Sequence, residues 1–383
     1  MGNQRGNIST WQLIAILISS MIGVGILTLP RTASTELQEV GWLGPLVGGL
    51  IVVIPLMAII YLSRQYPGLT FVEYGPLVFG GHRHPWLGKI LNIPWVLLYL
   101  LFQFLNTAMV AREFGEVIVT SVLLDTPLEV ILLTLLLIVL YLCMHEFEVL
   151  VRVNELLFPI MFVPILIIPY VTINSANWYN LLPLHIDSWQ GVASTAIGTF
   201  TMYTGFELMM IYFGLAMPGA RISLAAWSGF AFTIVSYVLT AAAGIVVFGY
   251  EELQHLIWPT LDMVKTAQQT GWFLERIESA FLTIWMASVF TTFGNMYYSM
   301  IFATRLWLKK GIRFQRIIAL IFFFPLFYVA LWPQNIVEFF AYAQKLTYFS
   351  YLPTVLFPIL LAVLQLIRSR SSQQVAEDKK GET

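Results

Sequence analysis

Apolar residues along this chain gather into ten runs, each long enough to cross the roughly 30 Å of a bilayer's hydrocarbon core. They lie at 9–35, 41–63, 87–111, 127–144, 150–172, 189–216, 224–249, 273–305, 314–332 and 336–367, separated by polar connections. Unbroken apolar stretches of this length predict helices. The expectation is an all-α polytopic membrane protein with ten transmembrane helices in a single transmembrane domain, 1–367. The fourth run is the shortest. The eighth and tenth are long enough to tilt or to continue outside the bilayer. The polar segment 368–383 is expected to be a disordered tail.

Two of the runs are interrupted. The first carries Met21-Ile22-Gly23-Val24-Gly25-Ile26-Leu27-Thr28-Leu29-Pro30 at its middle, with two glycines one residue apart. Unpaired backbone at membrane depth costs several kcal/mol per group and persists only where it lines a cavity or meets a ligand. Splitting the ten runs into halves, about 9–172 and 189–367, puts five crossings in each. An odd count inverts the second half relative to the first, as in many transporter folds. The sixth run then answers the first: Met21-Ile22-Gly23 falls against Met202-Tyr203-Thr204, followed by Gly205-Phe206-Glu207. The expected architecture is a five-plus-five inverted repeat with broken first and sixth helices.

Composition narrows the class. The chain of 383 residues is 58% hydrophobic and 11% charged, with a mean hydropathy of +0.78. Soluble domains carry about a quarter charged residues, so the lipid bilayer is the expected surrounding. With 20 basic against 21 acidic residues, nothing suggests a nucleic-acid partner. Cys143 is the only cysteine, so no intrachain disulfide forms. The first run is too long for a signal peptide and no small-residue cleavage site follows it. With the N-terminus inside, fifteen Lys and Arg fall on inner connections and five on outer ones, which predicts both termini in the cytoplasm. The five histidines lack metal-ligand spacing, and no nucleophile, phosphate-loop or dinucleotide fingerprint occurs. No metal, cofactor or enzymatic activity is expected.

A break near Gly23–Gly25 would free amides from Val24 to Leu27 at the positive end of a half-helix, a seat for a carboxylate. An unwound Tyr203–Gly205 would offer carbonyls to an ammonium group. Together they would hold a zwitterion, hence a free amino acid. The alternative is that these small residues only allow close helix packing. Apolar walls at Ile22, Val24 and Phe206 lean towards a small side chain such as that of alanine or valine. Glu207 could bind the amine, carry a proton or hold a gate, or be a structural carboxyl paired within the bundle. In the third run Tyr99, Gln103, Asn106 and Thr107 share a face, and Tyr99 and Gln103 are candidates to line the cavity. In the eighth, Ser288, Thr291 and Thr292 could complete an oxygen cage for sodium, or back-bond to their own helix. Pro159, Pro164 and Pro169 predict bending of the fifth span.

These features resemble the amino acid–polyamine–organocation superfamily. More closely, the chain resembles its spore germination permease branch, the B subunits of germinant receptors. The resemblance rests on Ile8-Ser9-Thr10-Trp11-Gln12, on Ile22-Gly23-Val24-Gly25-Ile26-Leu27-Thr28-Leu29-Pro30, on Tyr66-Pro67 with Glu73-Tyr74, and on Gly205-Phe206-Glu207. It covers the chain apart from the tail. It implies a subunit of the inner membrane of a bacterial endospore that binds a nutrient, an amino acid, and acts with A-type and C-type subunits. Carried over residue by residue, it implies a ligand seated against Gly23, Val24, Gly25 and Ile26 on one side and Tyr203, Thr204, Gly205 and Phe206 on the other. Some superfamily members carry a lysine in the fifth span in place of sodium; none occurs between Val153 and Pro169. Autonomous proton- or sodium-coupled transport of an amino acid is the alternative function.

Overall fold

A computed structural model describes residues 7–81, 84–186, 188–266 and 277–381. Its helices are α1 (Thr10–Met21), α2 (Leu29–Leu37), α3 (Gly44–Gln65), α4 (Phe71–Gly80), α5 (Pro85–Ser121), α6 (Leu128–Cys143) and α7 (Phe147–Ser175) in the first half. The second half holds α8 (Trp189–Phe200), α9 (Met209–Tyr212), α10 (Ile222–Leu253), α11 (Pro259–Thr266), α12 (Ile277–Trp307), α13 (Ile312–Leu331), α14 (Ile336–Tyr351) and α15 (Phe357–Gly381). Each of the ten apolar runs carries helix. The first is split into α1 and α2, and the sixth into α8 and α9. The tenth is α14 and α15 joined through one π-turn at Leu352–Leu356. Helix α15 extends to Gly381. Helix α7 is continuous across its prolines.

The polarity of a soluble protein is reversed. Leu50, Ile54 and Met57 form an exposed stripe on α3, and Ile317, Ile321 and Phe324 one on α13, while Ser19, Asn154, Glu207 and Asn295 are fully buried. Spacings of three and four residues place each stripe on one helix face, where lipid covers it. Five segments, Leu29–Gln65, Pro85–Ser121, Ile222–Leu253, Ile312–Leu331 and Ile336–Ser369, are long and apolar enough to cross a membrane by themselves. The protein is multi-pass.

The two broken spans run antiparallel through the centre. A Ser9–Gln12 capping box starts α1. Just before it, the Ile8 amide donates to Leu215 O and the Ile8 carbonyl accepts from the Met217 amide, so the start of the first span lies beside the end of the sixth. At the far end α3 meets α8 closely. Gly48 has no room for a side chain against Thr199 and the Phe200 amide, and Thr199 Oγ1 donates to Gly44 O at 2.8 Å. Small residues four apart let two membrane helices touch backbone to backbone.

Candidate functional site

The first break occupies Ile22–Thr28. Helix α1 stops at Ile22, whose φ/ψ of −85°/89° is not helical, and a 3-10 turn at Val24–Leu27 leads into α2. The leading amides of that turn have no acceptor within it. Gly23 and Gly25 are glycines for reasons of space. A Cβ on Gly23 would stand 2.7 Å from Thr292 Oγ1, and one on Gly25 2.8 Å from Met202 Sδ.

The second break occupies Thr201–Leu208. Gly205 has a φ of 117°, and a Cβ there would collide with the Ser20 carbonyl, so only glycine fits both its conformation and its neighbour. Glu207 closes this break on itself. Its Oε2 accepts from the Gly205 amide at 2.7 Å, and its Oε1 accepts from Gln103 Nε2 at 2.8 Å. One hydroxyl joins the two breaks: Tyr237 OH lies 2.7 Å from Met21 O and 2.8 Å from Met202 O. These are the residues that the internal repeat places opposite each other. Thr292 Oγ1 donates to Ser19 O at 2.6 Å, and Thr260 Oγ1 to Ile26 O at 2.7 Å, so neighbouring helices satisfy carbonyls that the first break frees.

A cavity of about 470 Å³ reaches both breaks and opens away from the N-terminal side. Gly23, Val24 and Gly25 line it from one span, Thr201, Met202 and Thr204 from the other. Its mouth carries Arg31, Glu36 and Glu113. Helix α5 contributes Phe102, Asn106, Met109, Val110 and Glu113, a face turned about one residue from the expected one. Tyr99 and Gln103 lie outside it: Tyr99 OH is 3.3 Å from Ser299 Oγ, and Gln103 holds Glu207. Tyr203 turns away as well, donating to Pro45 O at 2.7 Å. Ile22, Ile26, Gly205, Phe206 and Glu207 are buried behind the lining. Ser20, Met21, Thr201, Met202 and Met296 belong to the cavity without having been singled out as its lining. Of these, Met21 and Met202 stood in the aligned segments, and Met296 lies one turn beyond Thr292.

The three hydroxyls of α12 are each engaged. Ser288 Oγ is 3.5 Å from Ile284 O, Thr291 Oγ1 donates to Ser288 O at 2.8 Å, and Thr292 alone reaches the first break. Beside them lies a buried amide cluster. Asn295 Nδ2 stands 3.0 Å from both Ser19 Oγ and Ser20 Oγ and 2.9 Å from Asn154 Oδ1. Asn154 Nδ2 donates to Asn295 Oδ1 at 2.8 Å, and Ser19 Oγ also donates to Asn154 Oδ1. The cluster ties α1, α7 and α12 together next to the break.

A second cavity, of about 1420 Å³, lies on the N-terminal side, lined by Ile8, Gln12, Lys89, Arg152, Arg305 and Lys310 among others. None of its described lining residues comes from Ile22–Thr28 or Thr201–Leu208. The site at the breaks is open to one side.

Comparison with known proteins bears on the fold and the family. In fold, the chain is similar to the crystal structure of MhsT in complex with L-phenylalanine, with a TM-score of 0.68 over 95% of this chain and 90% of that one, at 13% identity. In sequence it is 28% identical to spore germination protein YndE of Bacillus subtilis (strain 168), over 97% of this chain and all of the relative. It is 26% identical to spore germination protein A2 of the same organism, over 95% and 96%. It is also 26% identical to spore germination protein GerLB of Bacillus cereus, over 92% of each. The expected fold, ten membrane helices in two inverted halves with the first and sixth broken, is the one found, in a permease-type protein and not an enzyme. The profile described as "Spore germination protein" matches residues 7–339, and the chain belongs to that family.

Proposed function

We propose that this chain is the B-type subunit of a germinant receptor. In this reading a neutral amino acid binds where the two breaks meet, and the resulting change of packing is passed to A-type and C-type partner subunits. The chain resides in the inner membrane of a bacterial endospore with both termini in the cytoplasm. The observation that carries the reading is the cavity ending on both breaks at once. At its floor the leading amides of the Val24–Leu27 turn suit a carboxylate, and the unwound Thr201–Thr204 backbone suits an ammonium group. The relatives named as germination proteins and the amino acid held by the structural neighbour support the same reading.

The ligand acts by preferring one packing over another, since it can shift the equilibrium only by its differential affinity for the two states. A second reading, autonomous amino acid transport, is favoured by the large cavity on the opposite side, which would serve as an exit. One preparation tests both. The purified chain in vesicles is expected to bind labelled amino acid, to lose that binding on Gly25→Trp, and to accumulate none against a gradient. Accumulation without partners establishes the transporter instead. Binding that survives Gly25→Trp removes the site from the breaks.

A further inference from the structure

The walls expected to set ligand size were Ile22, Val24 and Phe206, and of these only Val24 lines the cavity. Four thioethers take their place: Met21, Met109, Met202 and Met296. Two of them are held. Met21 and Met296 are buried to within 3% of full burial, and Met296 Sδ accepts from Asn106 Nδ2 at 3.6 Å. Met202 differs. Its backbone is fixed by Tyr237 at the carbonyl, yet its side chain is half-buried and lies directly over Gly25, where a Cβ would come within 2.8 Å of the sulfur. The thioether thus covers the spot beside the first break's amides where an amino acid anchored by its carboxylate would place its side chain. An unbranched thioether can swing aside by rotating, which a branched or aromatic side chain in that place could not do without strain.

We propose that Met202 is the residue that gauges the ligand's side chain. The ligand class is then the larger apolar L-amino acids (leucine, methionine, phenylalanine), whose side chains displace the Met202 thioether from Gly25 and pack among the methionines. This rests on the amino-acid reading above. The energetic reason is burial. Each methylene moved from water into such a surface raises affinity about fourfold, a gain that glycine and alanine forgo.

The test is direct binding of glycine, alanine, valine, leucine, methionine and phenylalanine to the purified full chain. The wild type is compared with Met202→Ala and Met202→Phe, each checked for folding by size exclusion and thermal melting. Wild type is expected to bind leucine at least tenfold more tightly than alanine. Met202→Ala opens space, so phenylalanine should gain about tenfold relative to alanine. Met202→Phe fills the space with a stiff ring and should move the preference down to alanine and glycine. If either variant fails to fold, the other decides. Wild-type binding with alanine preferred over leucine, an order unchanged in a folded variant, or an equal loss of all six ligands overturns the inference about Met202 and leaves the amino-acid site standing. A wild type that binds none of the six removes both.

Discussion

Tyr237 is the residue on which the site geometry most depends. Its hydroxyl is within hydrogen-bonding distance of the carbonyls of Met21 and Met202, one from each broken span, with no other described side chain bridging both. Tyr237→Phe keeps the ring and removes only that hydroxyl. The single proton that Tyr237 shares between Met21 O and the part-buried Met202 O is then lost, and an orphaned buried polar group costs about 1–3 kcal/mol. The expected outcome is a folded protein with a lower melting temperature and weaker amino acid binding, because the breaks lose their shared anchor. Unchanged melting and affinity would show that the bridge is dispensable. Gly205→Ala is expected to be harsher. The φ of 117° alone costs roughly 1–3 kcal/mol for a residue with a Cβ, and the Ser20 carbonyl blocks that Cβ. Size-exclusion profiles of the expressed variant should show aggregated protein; a monodisperse, ligand-binding Gly205→Ala would refute the account of the second break.

At the scale of elements, the sequence was most legible where a local signal breaks a strong pattern. Paired glycines inside a continuous apolar run mark α1 and α2 as two half-helices, and the Gly205 segment marks α8 and α9. The short helices α4 and α11 were not legible, since Phe71–Gly80 and Pro259–Thr266 are too brief to cross lipid and lie between the runs. The cavity face of α5 is turned about one residue from the polar face that the sequence shows. Polarity drew attention to Tyr99 and Gln103, whose polar atoms are used to hold other helices, while the cavity face mixes Phe102 and Met109 with Asn106. In a membrane bundle a polar side chain is more often needed for helix contacts than for a ligand, so polarity alone misleads. The amide cluster shows the same economy and carries a prediction. Asn154→Leu alone leaves Asn295 Oδ1 without its donor, Asn295→Leu alone leaves one N–H of Asn154 without its acceptor, and each should lower stability by about 1–3 kcal/mol. Replacing both with leucine removes donor and acceptor together, so the double variant should cost clearly less than the sum of the singles. Thermal melts of the three variants in one detergent measure this; strict additivity would mean that the two amides do not form one unit.

On the scale of the whole molecule, the packing defines a direction. The cavity at the breaks opens on the side where Arg31, Glu36 and Gln344 lie, and the second cavity opens on the side of Ile8, Arg152 and Lys310. If the excess of basic residues on the second side marks the cytoplasm, as proposed above, the ligand cavity should face outwards. Chemistry can test that orientation with little interference, because Cys143 is the only cysteine and is buried. In a Cys143→Ala background, Gln344→Cys should react with a membrane-impermeant maleimide on intact cells. Lys310→Cys should react only after the membrane is opened. The reverse result would turn the molecule over, and with it the proposed route of the ligand. The same Gln344→Cys protein reports on signalling. If a bound amino acid favours a packing in which α14 closes over the cavity, saturating ligand should slow labelling at Gln344→Cys by the factor by which the open population falls. Labelling that ignores a ligand shown to bind would mean that occupancy is not converted into closure at this helix, and the message to a partner subunit would have to leave by another element.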